Sequence, residues 1–553
     1  MRELEYPLNG ADILLRKKIL RRELQKRAIV AEKKIALLSG STVGEIKDVL
    51  EIFLWNYGIR PIFLEGTYAN FYEDVMFDAK KLQKFNPDFI YIHTTCRNLT
   101  DASKLEQVWA KLAEICSAMI IQNNFELPPD GFSSIDKLRS LNRLNQKIYL
   151  YAGEHDNFVV NDLNYLAAQY GLLQWHNPAQ WYAYKYALAL EAVPLLCFNL
   201  AKLIKASLGL NKKVLVLDLD NTLWGGILGD DGVAGLEIGA ETPRGAAFLD
   251  FQKYLKGQQA QGILLAICSK NNYQDVVQAF ADPRMFLRLD DFVAVEANWD
   301  NKDKNILKIA EKLNLLPDSF VFVDDNPAER ELVRHNVAGV SVVDTSDVLD
   351  FIDYIENNGF FLPLKVTEAD LNRQEYYQQN NQRRVAEEGS VNYADFLKSL
   401  QMTYAIEPVA KENFARVLQL INKTNQFNLT TKRLSAAELQ NLLADKYLTI
   451  CCGLKDKFGD NGIIAVFSAE RRAETLDIGL WLMSCRVFRR NVEQEIFKYV
   501  LDWCRKKQIK KIHGHYIPTP KNKMTADFYA TIGFVKIAER DGGSDWEYIL
   551  AKG

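Results

Sequence analysis

No apolar run in this chain approaches the roughly 18 residues that a membrane-spanning helix needs. The amino terminus, Met-Arg-Glu-Leu-Glu-Tyr, lacks the charged-then-apolar order of a secretion signal. Cysteine is sparse: Cys96, Cys116, Cys197, Cys268, Cys451, Cys452, Cys485 and Cys504 follow no metal-ligand spacing, and several sit in apolar runs where a disulfide framework makes little sense. That pattern fits a reducing compartment, so a cytoplasmic protein is expected. Excess charge is also missing. A formal net charge of −3 gives no general reason to expect nucleic-acid binding. With 48% hydrophobic and 25% charged residues over 553 positions, the chain reads as globular. Three or four domains follow from the usual prior of roughly 100 to 200 residues each.

What is present is a pair of carboxylates at the end of an aliphatic run. In Val214-Leu215-Val216-Leu217-Asp218-Leu219-Asp220-Asn221-Thr222-Leu223-Trp224, four aliphatics read as a buried parallel strand. Asp218 and Asp220 follow at its carboxyl end, where open α/β sheets bind ligands. Residues two apart on a strand face the same way, so extended geometry through Leu219 would aim both carboxylates into one cavity. Two like charges so close call for a proton or a cation, and a hard divalent ion such as Mg²⁺ suits them. Alone, Asp-Leu-Asp-Asn is equally a strand-end turn with an Asx cap.

Later segments extend the pattern. Ile263-Leu264-Leu265-Ala266-Ile267-Cys268-Ser269-Lys270-Asn271 reads as a second buried strand, whose Ser269 could hold a phosphoryl oxygen. Lys302 could neutralise phosphate charge, and Phe320-Val321-Phe322-Val323-Asp324-Asp325-Asn326-Pro327 is a third strand whose Asp324 and Asp325 could complete a metal site. Each alone reads as a cap, a solvated lysine or a turn. Their order together points to phosphate chemistry.

The order Asp-x-Asp-x-Thr, Ser, Lys, Asp-Asp resembles the haloacid dehalogenase (HAD) phosphatase superfamily. The strings Asp-Leu-Asp-Asn-Thr-Leu-Trp-Gly-Gly, Cys-Ser-Lys-Asn and Phe-Val-Asp-Asp-Asn-Pro-Ala-Glu-Arg-Glu resemble its FkbH-like branch more narrowly. The resemblance implies Asp218 as nucleophile and Asp220 as general acid and base. It further implies Mg²⁺ bound by Asp218, the backbone carbonyl of Asp220, and Asp324 or Asp325, with Thr222, Ser269, Lys270 and Lys302 handling phosphate. Lys304 competes with Lys302, but Trp299-Asp300-Asn301-Lys302 matches the family's Trp-x-x-Lys pattern. The gaps from Asp218 to Ser269 and from Ser269 to Lys302 leave little beyond linking helices and a Gly-rich flap from Trp224 to Gly239, so an open, capless site is expected.

The rest of the chain divides around this region, residues 209–355. A helical segment, 1–30, carries a basic cluster of Arg16, Lys17, Lys18, Arg21, Arg22, Lys26 and Arg27, which reads as a solvated face or an acidic-partner contact. Strands opening at Lys33 and at Arg60–Leu64, Asp88–His93, Ala118–Gln122 and Lys147–Ala152 make residues 31–208 a doubly wound α/β domain. It resembles the SGNH-hydrolase-like region that precedes the HAD domain in FkbH-like proteins, with Ser41 at the hydrolase serine. The Asp of Gly-Asp-Ser and the Asp-x-x-His pair are missing, and a helix-capping Ser41 is the alternative. His93 and His155 are placed at strand ends.

Residues 356–390, with a helical Asn357–Glu388 stretch, read as a connector. From about Val391 to the carboxyl end, the order of helices and antiparallel strands resembles a GNAT acyltransferase α+β domain, with Tyr529 where that family often keeps a general acid. Its pyrophosphate loop wants Gln/Arg-x-x-Gly-x-Gly/Ala. Here it reads Arg486-Val487-Phe488-Arg489-Arg490-Asn491, so Arg489 and Asn491 should crowd the backbone cradle.

The fold expected is therefore multidomain α/β. The FkbH-like resemblance implies that a three-carbon unit from 1,3-bisphosphoglycerate passes through an enzyme thioester on Cys268, loses phosphate, and moves to the phosphopantetheine of an acyl carrier protein. On this reading Lys270 helps hold the Cys268 thiolate, and the strand turns at that point to expose it. Alternatives are a Mg²⁺-dependent phosphatase acting on a phosphoprotein or glycan precursor, a GNAT-type acyl transfer, and a biosynthetic scaffold.

Overall fold

The aliphatic run after Val30 folds as β1 (Ala31–Ser39), beside β2 (Ile59–Glu65), β3 (Phe89–His93), β4 (Met119–Asn123) and β5 (Phe158–Asn161). All five strands are parallel, in the order β2-β1-β3-β4-β5. A computed structural model describes residues 1–98, 101–129, 135–364, 366–390, 392–519, 521–540 and 542–550, so the expected boundary at Val391 lies outside the described residues. The first of two compact units comprises Met1–Gly209 with Arg433–Asn441. Lys33, 3% exposed, holds the returning segment by pairing with Glu438 at 3.0 Å and donating to the Arg433 carbonyl. The basic face is largely used within the unit: Lys17 pairs with Glu45 at 2.7 Å and Arg21 with Glu51 at 2.9 Å.

One expected strand is a helix. Lys147–Ala152 lies inside the helix Ile135–Glu154, whose buried residues Leu141, Leu144 and Ile148 recur at helical spacing. Its Tyr and Leu residues suit a strand locally, but the apolar period of the longer segment wins. The fifth strand is β5, a few residues on. His155 accordingly sits past a helix end, stacked on Tyr151.

The second unit, Leu210–Lys432 with Leu442–Gly553, holds two sheets. Strands β6 (Val214–Leu217), β7 (Leu264–Ser269), β8 (Phe292–Ala297), β9 (Phe320–Val323) and β10 (Ser341–Val342) are parallel, in the order β10-β9-β6-β7-β8. Both faces are buried, which is why these strands read as unbroken apolar runs. Leu215, Leu217, Leu265, Ile267, Val321 and Val323 pack on one side. Val214, Val216, Ala266, Cys268, Phe320 and Phe322 pack on the other. The helix Val348–Asn358 buries Phe351, Tyr354 and Ile355 in the first of these clusters, and Phe360 and Phe361 join it. This helix closes on a left-handed Gly359. The connector is thus not one helix: the chain resumes as Glu368–Leu371 and Arg373–Glu388.

The last sheet contains β11 (Thr403–Pro408), β12 (Phe427–Asn428), β13 (Tyr447–Asp456), β14 (Gly459–Arg472), β15 (Thr475–Met483), β16 (Lys511–Tyr516), β17 (Val535–Arg540) and β18 (Gly543–Ile549). Their order is β11-β13-β14-β15-β16-β18-β17, with β12 on β15. Only β15 and β16 pair in parallel, and only from Thr475 to Asp477 against Lys511 to His513. Beyond that point β12 pairs with the far end of β15, Leu429 donates to the Trp481 carbonyl, and Ile517 donates to that of Leu429. The chain's own segment lines the divergence of the two strands.

Candidate active site

In the β6–β10 sheet, successive strands run β6, β7, β8 to one side, and the chain then crosses to β9 and β10 on the other. The order reverses between β6 and β9, the switch point where open sheets form their ligand crevice. Asp218 is the first residue beyond β6 and Asp324 the first beyond β9. The Asp218 amide donates to the Val323 carbonyl at 3.0 Å, tying the two strand ends together. Lys302 opens the helix Lys302–Leu313 and sets its ammonium 2.9 Å from Asp218 Oδ2 and 2.6 Å from Asp324 Oδ2. All three are buried.

Carboxylate oxygens of Asp218, Asp324 and Asp325 lie within 4.8 Å of one another. Burial, then the charge of Asp218, raises the Asp324 carboxyl to about 7, and the same two causes raise Asp325. Burial alone would lower the Lys302 ammonium, but Asp218 and Asp324 outweigh it and raise it. Three carboxylates facing one ammonium leave an excess of negative charge that a divalent cation would offset, and an all-oxygen donor set suits Mg²⁺. The residues present therefore fit that ion.

Asp220 is not among the clustered carboxylates, and directly after it Asn221 turns the chain with a left-handed φ of 52°. Its Oδ1 accepts from Trp224 Nε1 and the Leu228 amide, each at 3.0 Å, and its Oδ2 accepts from Asn271 Nδ2 at 2.9 Å. The Asp220 carboxylate is thus fully engaged outside the acidic cluster. Asn271 also donates to Ser269 Oγ at 3.1 Å, which links Asp220 to Ser269.

Three expected roles do not match the placement. Strand β7 continues through Ser269, so the chain does not turn at Cys268. The Cys268 thiol is fully buried on the face opposite Ser269 and contacts the Lys302 carbonyl at 3.6 Å. Burial, with the nearby charges of Asp218 and Asp324, pushes that thiol far up, so it is neither a thiolate nor accessible to an acyl group. Lys270 does not face Cys268; its ammonium pairs with Glu329 at 2.6 Å. The Thr222 hydroxyl accepts from the Asp325 amide at 3.2 Å and is fully buried, so it braces the Asp324–Asp325 turn and is not exposed to a phosphate.

Three residues that sequence reasoning assigned no role also build the site: Trp224 and Asn271 on Asp220, and Arg330. Arg330 Nη1 donates to the carbonyls of Asp324 and Asp325 at 2.9 and 2.8 Å and fixes that turn. All three lie inside the family-like strings, and that was their only signal.

The chain between Asp218 and Ser269 forms the helices Leu228–Gly235 and Pro243–Ala260, and that between Ser269 and Lys302 forms one helix, Tyr273–Ala281, a short 3-10 turn and β8. Neither gap holds an inserted sheet or cap domain.

The remaining candidates sit elsewhere. Tyr529 is fully buried in the core, packed against Phe534 and Trp546, and burial pushes its hydroxyl far above the ordinary tyrosine range. Arg489 and Asn491 stand at the two small-residue positions with φ of 63° and 57°, the backbone glycine would favour. The loop carbonyls of Arg489 and Arg490 accept from Tyr393 and Tyr404 hydroxyls at 2.6 and 2.8 Å. Arg490 points to Asp456 and Asn380, and Arg486 lies 4.3 Å over the Tyr376 ring. Neither guanidinium is turned out as an anion clamp. Ser41 is not a cap either: Val43 is the N-cap of the helix Gly44–Asn56, and the Ser41 hydroxyl is buried without a partner.

No protein-family model and no curated protein matches the chain. Among solved structures, the N-terminal part of the protein BF1531 from Bacteroides fragilis, containing a phosphatase domain and complexed with Mg, superposes with a TM-score of 0.59 at 28% identity, covering 63% of this chain and 99% of that one. The HAD phosphatase-like fold is thus present. Ribosomal-protein-S18-alanine N-acetyltransferase from Escherichia coli gives a TM-score of 0.23 at 10% identity over 27% of this chain and 96% of its own. PaiA N-acetyltransferase from Thermoplasma acidophilum, in complex with coenzyme A, gives 0.23 at 13% over 27% and 99%.

Proposed function

We propose that the chain is a Mg²⁺-dependent phosphohydrolase of HAD type. The observation that carries this reading is the Lys302 ammonium held between Asp218 and Asp324 across the β6/β9 switch point, with Asp220 separately positioned by Trp224, Leu228 and Asn271. The Mg-bound phosphatase domain of BF1531 supports it.

In this mechanism an Asp218 oxygen forms a bond to phosphorus as the leaving oxygen departs with a proton from Asp220. Asp220 then takes a proton from water, whose oxygen attacks phosphorus and breaks the bond to Asp218. Lys302 and the Ser269 hydroxyl hold the phosphoryl oxygens. Mg²⁺ held by Asp218, Asp324, Asp325 and the Asp220 carbonyl would supply further positive charge to those oxygens when bound.

For the substrate, the capless gaps between the motifs suit a phosphate monoester presented on a large carrier. The finer form of the reading, carried by the FkbH-like strings, is a phosphorylated three-carbon unit destined for the phosphopantetheine thiol of an acyl carrier protein. Because Cys268 is buried, the thioester in this version is the carrier's own: its thiol displaces the 1-phosphate as inorganic phosphate, and the 3-phosphate is hydrolysed at the Asp218 site while the unit is attached there. The test combines the protein, Mg²⁺, 1,3-bisphosphoglycerate and candidate carrier proteins, with phosphate release and carrier mass as readouts. A carrier gaining a glyceryl group, with Mg²⁺-dependent phosphate release, supports the full reading. Release from simple aryl phosphates without any carrier product supports the phosphatase alone, and no Mg²⁺-dependent release from any phosphate monoester rejects both.

A further inference from the structure

The first unit has its own switch point. In the order β2-β1-β3-β4-β5, direction reverses between β1 and β3, and the loops beyond the strand ends gather polar groups there. Cys96 follows β3, Glu126 follows β4, and His176 follows the short helix Leu172–Trp175. A sulfur, a carboxylate oxygen and a ring nitrogen from these three residues all lie within 4.8 Å of one another.

Glu126 is the telling member. It is fully buried, its Oε2 accepts from the Cys96 amide at 3.2 Å, and its Oε1 is buried with no partner. No cation pairs with it among the described residues. The charge of the adjacent Arg97 is felt by Glu126, but its guanidinium makes no ion pair there and lies 5.4 Å over the Trp181 ring. A buried carboxylate without a paired cation is costly, and a metal ion is one group that removes the cost.

We propose that Cys96, Glu126 and His176 form a binding site for a soft-to-borderline divalent metal of the Zn²⁺ class. A thiolate, an imidazole and a carboxylate are the donors that favour zinc over Mg²⁺ or Ca²⁺. With every donor separation at or below 4.8 Å, small side-chain adjustments bring the three onto one ion with bonds of roughly 2.0 to 2.3 Å. On binding, the Cys96 thiol releases its proton to solvent, its sulfur donates a lone pair to the metal, and the Glu126 carboxylate gains its missing charge partner. Three protein ligands leave a tetrahedral ion one position for water or an incoming ligand. The site is chemically distinct from the all-oxygen cluster around Asp218, and it does not depend on the phosphohydrolase reading.

Cobalt separates the two sites. The full-length, metal-free protein is titrated with Co²⁺, which reports a thiolate ligand as a sulfur-to-metal charge-transfer band. One equivalent should develop that band, Zn²⁺ should bleach it, and Asp218→Asn should leave it unchanged. Cys96→Ser should abolish it, and Glu126→Gln should weaken binding about tenfold or more. Absence of the band at stoichiometric Co²⁺, or its survival in Cys96→Ser, overturns the proposal. If Cys96→Ser does not fold, X-ray absorption on zinc-loaded wild type decides: one sulfur with nitrogen and oxygen neighbours supports the site, and an oxygen-only shell overturns it.

Discussion

Lys302 Nζ lies 2.9 Å from Asp218 Oδ2, with both side chains almost wholly shielded from solvent. On the proposed reading, this ion pair, shared with Asp324, fixes the nucleophile, one metal-binding carboxylate and the phosphate-binding ammonium relative to one another before substrate arrives. Preorganised charge of this kind is what phosphoryl transfer asks of a protein.

Asp218→Asn removes both the attacking oxygen and a metal-binding charge while keeping the side chain's size. Mg²⁺-dependent phosphate release should fall by about three orders of magnitude or more, with the circular dichroism spectrum unchanged. A variant that keeps near-full turnover would place the nucleophile elsewhere.

Lys302→Met leaves Asp218 and Asp324 facing each other without their buried cation. Breaking such a pair costs about 3 to 5 kcal/mol, so urea denaturation without divalent ions should show a loss of that size. Millimolar Mg²⁺ should recover part of it by supplying the missing positive charge. An equal loss with and without Mg²⁺ would mean that the acidic cluster does not hold the ion.

The grouping of Asp218, Ser269 and Asp324 at neighbouring strand ends was legible because a double-buried strand advertises itself as an aliphatic run, and these residues come directly at or after one. The burial of Cys268 was legible in its period. Neighbours on a strand face opposite ways, so a Ser269 in the site puts Cys268 in the opposite core. Lys147–Ala152 has strand-like residues locally, but the longer helical period of Leu141, Leu144 and Ile148 decides its fold. Cys96, Glu126 and His176 could not be grouped from spacing at all, since each comes from a different loop and only the sheet order brings them together. The return of Arg433–Asn441 to the first unit is equally a product of tertiary packing, through Lys33 and Glu438.

Cys268→Ala should leave phosphate release at the wild-type rate and cost about 1 kcal/mol of stability, the scale of a small buried truncation. Loss of carrier loading with phosphate release intact would restore a covalent role for this thiol and would require β7 to open at its end.

Coenzyme A should show no tight complex in calorimetric titration. The loop at residues 486–491 has Arg489 and Asn491 at its left-handed positions, carbonyls committed to Tyr393 and Tyr404, and Arg490 committed to Asp456. A stoichiometric complex lost in Arg489→Glu would show that the loop still cradles pyrophosphate.

His93 gives the first unit a defined acid sensitivity. It is fully buried at the end of β3, its Nδ1 is bonded to the Tyr91 hydroxyl at 2.8 Å, and its Nε2 has no partner. Burial lowers it from 6.5 to about 4. Above pH 6.5 the ring is neutral folded and unfolded, so nothing is lost there. As pH falls from 6.5 towards 4, the unfolded chain takes up a proton that the folded chain refuses, and stability drops by about 3 kcal/mol across that window. His93→Asn keeps a polar atom near the Nδ1 position without a titrating group. Its urea midpoint should be lower than the wild type's at pH 7, and the gap should close as pH approaches 4. A constant gap over that range would mean that His93 is already protonated in the folded protein or accepts its proton without cost.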